Sequence, residues 1–567
     1  MVRPALRFVL VSLLLLGFLP ARSLATVQPS VILVTLDSTR VDHMGFLGAR
    51  SHLTPALDRL AHQAIVFEHA YAQAPLTVTS HATILTGTYP QTHQLNEFAS
   101  ALGVNLPYLP DLLRLRGYRT AAFVGSILLD AKNGSAPGFD RGFDFYDAGF
   151  ESNGDGQRIV ARRGDQVVAR AARWFSTQSR GPFFLWVHIY DAHAPYAGGS
   201  YDRAVSAADA AVGRLVAALR TQKIYDDCVI VVAADHGESL TAHGEATHGI
   251  FLYEETVRVP LLVKLSQNEM AGKRVQGRVR LVDVAPTILE AAGVPAPSQM
   301  QGQSLLRIAK SNPDADQAVY AGSDFPRQAF GWSALESWRA GKYLYIRAPR
   351  PELYDLSADP GATHNLAQAS KATLDTMASQ LATFNNHFAK HAGPAEPNAL
   401  SSSEMQKLAS LGYIGLQRSG SWNPAATGTD PKDTIALANE VLSAMLLVSD
   451  GKPQKAIPTL QVASAKQASS YLTQFGLGTA LAQARQYPPA IEHLRKAIEL
   501  QPNSAWAHYE MGASLLKKGD YQTATAHLEL ACARLPKFRQ AHLMLAEAYE
   551  HLGRTIEAQS ERGKGSP

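Results

Sequence analysis

The sequence predicts an α/β domain built on a mostly parallel central sheet, followed by a linker and an all-α domain of helical repeats. Three observations carry this. Continuous apolar, β-branched runs alternate with amphipathic helical segments through the first half of the chain, the pattern of strands buried on both faces. The stretch Ser419–Lys432, rich in Gly, Ser, Pro and Thr, interrupts that alternation. Beyond it, Ala456, Ala490, Ala524 and Ala558 recur at a 34-residue step.

Taken in order, Arg3 and Arg7 precede the apolar run Phe8–Leu19, and Ser23-Leu24-Ala25 supplies small residues before a cleavage point. This reads as a cleaved secretory signal over residues 1–25, placing the protein in a periplasmic or extracellular space. The run is too short to give a stable membrane span. Val31–Leu36 is the first strand and ends in Asp37; Thr54-Pro55 starts a helix through Gln63, with Thr as cap and Pro in the first turn. Pro75–Gly87, PLTVTSHATILTG, places the Thr77 hydroxyl just ahead of a helical run over Ser80–Leu85, stopped by Gly87. A helix start presents unpaired N–H groups that suit an anion. The amphipathic Leu109–Arg116 leads into a strand at Arg119–Val124, and Gln166–Phe175 into one at Phe183–Tyr190. A helix over Ala204–Lys223 precedes the strand Cys228–Ala234, which ends in Asp235-His236. A helix over Ser401–Gln417 closes the sheet domain, so the expected division is 26–417, a linker at 418–432, and repeats at 433–567.

Composition excludes several classes. With 567 residues, 46% apolar and 18% charged, the chain is ordinary globular protein of two or three domains. A net charge of +4 without a dense Lys/Arg run excludes a nucleic-acid partner. The only cysteines, Cys228 and Cys532, sit in apolar contexts in different domains and read as core residues rather than a disulfide. Three apolar strands end in metal-type ligands: Asp37, the Asp191-Ala192-His193 group, and Asp235-His236. The functional crevice of an α/β sheet lies at the carboxyl ends of its strands. Carboxylates converging there repel one another unless a cation sits between them.

Longer motifs make the pattern specific. ILVTLDSTRVDHMG, PLTVTSHATILTGTYPQTH, VHIYDAHAPY, AADHGESLTAHGEATHGIFLYEETVRVPLL and PELYDLSADPGATHNLA fall in order between Val31 and Leu416. They resemble the sulfatase family of the alkaline phosphatase superfamily. The resemblance implies a central mixed sheet flanked by helices, with a small C-terminal antiparallel subdomain. It also implies Asp37, Asp235 and His236 as ligands of a divalent metal, with Thr77 at the nucleophile position completing the set. His193 falls where the family contacts substrate. His248 falls where it has Lys, or His in relatives with two metals, so Asp191, His193 and His248 form a second metal site, or His193 and His248 touch substrate without a metal. Oxygen and imidazole donors fit Zn²⁺ or Mn²⁺, one ion or two, with Ca²⁺ the further candidate. Asn96 is a candidate substrate contact, while His188, His243 and Glu245 read as supporting or loop residues.

The chain also departs from the family. Sulfatases carry Cys or Ser within Cys-x-Pro-Ser-Arg and convert it to formylglycine; here those positions are Thr77, Val78, Thr79, Ser80 and His81. The first acidic pair is reduced to Asp37-Ser38, and the expected Gly-Lys-x-His segment is Gly125-Ser126-Ile127-Leu128. A metal-bound threonine resembles instead the phosphodiesterases and phosphoryl-headgroup transferases of the superfamily. The expectation is a metal-dependent ester hydrolase acting on phosphoesters through Thr77, with a small-molecule, glycan or lipid ester as substrate. The alternatives are a sulfuric ester hydrolase and a catalytically idle periplasmic scaffold. The 34-residue period, with Leu460, Leu494 and Leu528 and the pair Gly478 and Gly512 in step, resembles the tetratricopeptide repeat. Three and a half to four repeats from Asp433 onward imply a protein partner on a concave face, or docking onto the chain's own catalytic domain.

Overall fold

Buried β-branched runs become the middle of an eight-stranded sheet. Its strands are β1 (Val31–Leu36), β2 (Ile65–Tyr71), β3 (Arg119–Phe123), β4 (Phe145–Asp147), β5 (Phe183–Ile189), β6 (Val229–Ala234), β7 (Arg258–Lys264) and β8 (Arg274–Arg280). The order is β4-β3-β5-β1-β6-β7-β2-β8. The first five in that order run parallel, β7 is antiparallel to both its neighbours, and β2 and β8 are parallel. This computed structural model describes residues 28–95, 101–131, 136–148, 161–177, 181–311, 314, 316–388, 428–534 and 538–565. The expected signal segment, Asn96 and the helix expected at Ser401–Gln417 lie outside the described residues.

Every residue of β1, β5 and β6 is buried, which is why they read as continuous apolar runs. The remaining strands carry weaker signals. β8, RVQGRVR, lies at the sheet edge, where charge is tolerated and discourages pairing with another chain. β7 contains Pro260, and the β2–β7 register shifts between Phe67 and Ala70, opposite that proline, so the missing N–H falls at an irregularity. A second sheet, β9 (Val319–Ser323), β10 (Leu335–Ala340), β11 (Tyr343–Arg347) and β12 (Glu352–Asp355), is antiparallel throughout. The helix Lys371–Phe388 lays Met377 and Leu381 against its Trp338 and Tyr345, in a small core that Tyr89 and Val282 of the main sheet domain complete.

From residue 431 to 565 the chain forms four helix pairs, beginning with Pro431–Ser449 and Pro453–Lys466 and ending with Arg539–His551 and Thr555–Gly565. The recurring alanines and leucines are essentially fully buried between helices. The in-step glycines are steric requirements: a Cβ on Gly478 would lie 2.6 Å from Leu494 Cγ, and one on Gly512 the same distance from Leu528 Cγ. Ser470 and Ser504, one repeat apart, accept N-cap hydrogen bonds from Thr473 and Ala507 N–H. Cys228 and Cys532 are both free and buried.

The array docks on the sheet domain. Gln467 and Gln501, again one repeat apart, donate to the Phe330 (2.9 Å) and Gln328 (3.0 Å) carbonyls of a single short helix, Phe325–Phe330. Trp332 Nε1 donates to Gln467 Oε1, and Lys432 pairs with the buried Glu352 at 2.6 Å. Among the described residues no helix is long and apolar enough to cross a membrane.

Two stability measurements follow from this packing. Gly478→Ala is expected to cost about 1–3 kcal/mol through overpacking against Leu494, read as a lower denaturation midpoint. Glu510 is buried in the helix Ala505–Lys518, and burial pushes its carboxyl up to about 7. Its folded pKa is above its unfolded value, so the stability tied to its proton is complete below about pH 4.5 and lost as pH rises through about 7. Glu510→Gln should flatten the loss of stability between pH 5 and 8, an effect of at most about 3 kcal/mol in denaturant titrations. An unchanged pH slope would show that Glu510 does not carry it.

Candidate active site

The site is assembled by strand register. β1 lies between β5 and β6, with Leu36 level with both Ile189 and Ala234. The residues that follow therefore emerge side by side: Asp37 N–H donates to Ile189 O (2.9 Å) and Asp235 N–H to Leu36 O (3.2 Å). Asp37, Asp235 and His236 offer ligand atoms all within 4.8 Å of one another, and all three residues are buried.

Thr77 is the fourth member of this group. Its helix runs Thr77–Thr86, three residues longer at the start than the sequence predicts, because Leu76 is extended and Ser80 N–H makes the first intrahelical bond, to Leu76 O. Thr77 is thus inside the first turn rather than ahead of it, and the N–H groups of Thr77, Val78 and Thr79 precede the helical hydrogen-bond ladder. Two contacts hold that turn in place. Ser80 Oγ donates to Asp235 O (2.6 Å), tying the helix to the end of β6. His81 Nδ1 donates to Thr77 O (2.7 Å) while its Nε2 lies 3.0 Å from Thr35 Oγ1, which also accepts from Trp186 Nε1. Burial depresses the His81 imidazole to about 3, so it is neutral. Thr77 Oγ1 points back at the cluster, 3.4 Å from Asp37 Oδ2 and 3.4 Å from His236 Nε2.

Electrostatics test whether a cation fits. Burial opposes ionisation of Asp37, yet a hydrogen bond from His188 and the influence of His193 hold it below the usual carboxylate range. Burial and then the charge of Asp37 push Asp235 well above that range. Asp235 Oδ2 is buried without a hydrogen-bond partner among the described residues. Two carboxylates that cannot both ionise, one with an unused oxygen, are what a divalent cation satisfies. His236 suits the same role: its Nδ1 donates to the Gly237 carbonyl (2.9 Å), which directs the Nε2 lone pair into the cluster. Burial also keeps His236 well below its ordinary value, hence neutral. The residues present therefore fit a divalent metal.

Around this centre the structure separates the remaining candidates. His248 packs beside His236, with ring centroids 4.3 Å apart, and His193 beside His248 at 5.0 Å. His248 Nδ1 meets Glu238 Oε1 at 3.1 Å. Burial lowers the His248 pKa, but Glu238, with Asp37 and Glu245 beyond it, outweighs burial and the net direction is upward. His193 donates from Nδ1 to Ala194 O and is lowered, chiefly by burial. Asp191 turns elsewhere: its Oδ2 accepts from Gly164 N–H (2.7 Å) at the start of the helix Gly164–Ser176. His188 is closer in than a loop role implies. Its Nδ1 accepts from Gly125 N–H (3.3 Å), so Nε2 carries the proton and donates to Asp37 Oδ2 (3.1 Å). Glu238 was not singled out by sequence reasoning; its place two residues after His236, within the Asp-His-Gly-Glu motif, was the available signal.

Residues 29–294 match the family model described as Sulfatase, and residues 247–387 match N-sulphoglucosamine sulphohydrolase, C-terminal. Residues 478–519 match TPR repeat and residues 509–558 match Tetratricopeptide repeat. An ulvan-active sulfatase of Formosa agariphila is 24% identical over 418 residues, 62% of this chain and 80% of that protein. An N-acetylglucosamine-6-O-sulfatase of Bacteroides thetaiotaomicron is 23% identical over 467 residues, covering 60% and 83%. Among solved structures, the phosphonate monoester hydrolase of Agrobacterium radiobacter shares the fold at a TM-score of 0.53 and 19% identity, over 64% of this chain and 96% of that one. Residues 29–294 are a sulfatase-family domain, and tetratricopeptide repeats follow it.

Metal loading checks the centre directly. Purified protein refed with Zn²⁺, Mn²⁺ or Ca²⁺ should retain a divalent ion after desalting, and saturation at about 100 times Kd should stabilise the fold by about 2.7 kcal/mol. Asp235→Asn should abolish both retention and the thermal shift. Wild-type protein that stays metal-free after refeeding would remove the metal from the site.

Proposed function

We propose, from the premise that this chain is a sulfatase-family hydrolase of ester bonds, that it cleaves phosphoesters with Thr77 as the nucleophile. The observation that carries this reading is the aim of Thr77 Oγ1, at the start of a buried helix and 3.4 Å from both Asp37 and His236. The family's aldehyde needs Cys or Ser at this position, and threonine is neither. A hydroxyl attacks phosphorus once its proton is removed and the resulting charge is stabilised.

The chain's residues divide that work. Asp37 Oδ2 and His236 Nε2 are the acceptors facing the Thr77 hydroxyl. Asp37, Asp235 and His236 would hold a divalent cation, which would supply positive charge for the anionic ester, and the donor set suits Zn²⁺ or Mn²⁺. The leading N–H groups of the Thr77 helix add partial positive charge on the same side. Attack by Thr77 Oγ1 passes its proton to Asp37 Oδ2, forms an oxygen–phosphorus bond and breaks the bond to the leaving oxygen. His248, whose proton Glu238 helps to retain, gives that proton to the departing group. Water then hydrolyses the phosphothreonine, giving a proton to His248 as it attacks, while the proton held at Asp37 returns to the Thr77 oxygen and restores the hydroxyl. With Asp191 committed to Gly164 N–H, a single metal with His193 and His248 as substrate contacts is the arrangement supported.

A sulfate ester is the second reading, favoured by relatives whose names are those of sulfatases. The N-terminal pattern of Arg3, Arg7 and Phe8–Leu19 supports export of the enzyme, and the faces of the repeat array turned away from the sheet domain are where a protein partner would bind.

Turnover of matched aryl phosphodiester, phosphomonoester and sulfate esters decides between the readings. Phosphoester hydrolysis should dominate, fall by about 10³-fold or more in Thr77→Ala, and recover in part in Thr77→Ser. Acid quenching during turnover should trap phosphate on Thr77. Sulfate turnover that survives Thr77→Ala would overturn the mechanism.

A further inference from the structure

A cavity of about 180 Å³ opens beside His193 and His248, and its far wall belongs to the repeat domain. Leu76, the residue before Thr77, and Phe325 line it from the sheet domain; Leu442 and Leu446 line it from the first repeat helix, Pro431–Ser449. That helix has two apolar faces. Ala438, Val441, Ala444, Met445 and Val448 are buried on the side of the repeat core, whereas Leu442 and Leu446, one turn apart, are half-buried at the cavity. No Lys or Arg lines the cavity among the described residues.

The wall is held firmly. Asn439, on the same face, accepts from Ala246 N–H (3.0 Å) and donates to Gly244 O (2.7 Å), clamping the segment that leads to His248. Lys432 and Arg350 add ion pairs to Glu352 and Asp433 at the start of the helix. The leucines thus have a fixed position relative to the catalytic histidines.

We propose that the first repeat helix is part of the substrate pocket, and that the pocket takes an uncharged apolar group of about aryl size attached to the ester. An apolar protein cavity of about 150 Å³ holds a benzene ring, so the volume suits this occupant. Apart from His248, which Glu238 already partners, a polyanionic sugar would find no cationic group in it. The repeats here act as a specificity wall of the enzyme, beyond any docking of other proteins. The inference rests on Thr77 as the reacting group but not on whether the ester is of phosphate or sulfate.

Calorimetric binding to the full-length, metal-loaded protein tests it with two ligand pairs, phenylphosphonate against methylphosphonate and phenyl sulfate against methyl sulfate. The phenyl member should bind about tenfold tighter or better, as burial of an aromatic ring predicts. The double variant Leu442→Ser/Leu446→Ser, at half-buried positions, should bring that ratio to within about twofold. Ser443→Leu, an exposed position on the same wall, should raise it. A wild-type ratio near one, or a ratio that the leucine variant leaves unchanged, overturns the proposal. If phosphonates fail to bind while the sulfates keep the phenyl preference, the phosphoester reading falls and the pocket stands. Binding of neither pair overturns both.

Discussion

Two carboxylates brought together in a dry place set the terms for this protein. Asp37 and Asp235 leave adjacent parallel strands at the same level, and burial removes the water that would otherwise screen them. Such a pair persists only with compensation. His188 hydrogen-bonds one carboxylate, backbone N–H groups of Ser38 and His236 hold one oxygen of the other, and the remaining oxygen has no hydrogen-bond partner among the described residues. The Thr77 helix is pinned to this pair by Ser80 and by His81, so the hydroxyl is aimed by the same contacts that close the core.

The repeat array is organised around the site as much as appended to it. Gln467 and Gln501 use the repeat period to grip one short helix of the sheet domain, and Asn439 grips the chain before His248. An array fastened by residues in repeat register is positioned by its own regularity, and a helix so positioned can line a pocket with useful precision. The apolar cavity between Leu76 and Leu446 is the consequence.

How far these features could be read beforehand varied with the strength of the local signal. β1, β3, β5 and β6 were legible because strands buried on both faces must be apolar throughout. β8 was hidden by its charges, which an edge strand tolerates, and β7 by Pro260, which its bulged pairing accommodates. His81 shows a different limit. Its position in the motif is that of a site residue, but its ring faces Thr35 and the Thr77 carbonyl, because a buried imidazole at that point on the helix is drawn to the nearest acceptors.

By itself the sequence determined the parallel core, the carboxylates and imidazole at the strand ends, Asp37, Asp235 and His236, the hydroxyl at Thr77 and the repeat period, since each is a local or periodic property of the chain. Tertiary structure alone decided that Asp191 serves Gly164, that Glu238 pairs with His248, and that Leu442 and Leu446 share a cavity with His193 and His248. Those outcomes depend on side-chain direction and on the docking of one domain against another. Neither is encoded in spacing along the chain; both are set by which neighbours compete for each polar group once the core has closed.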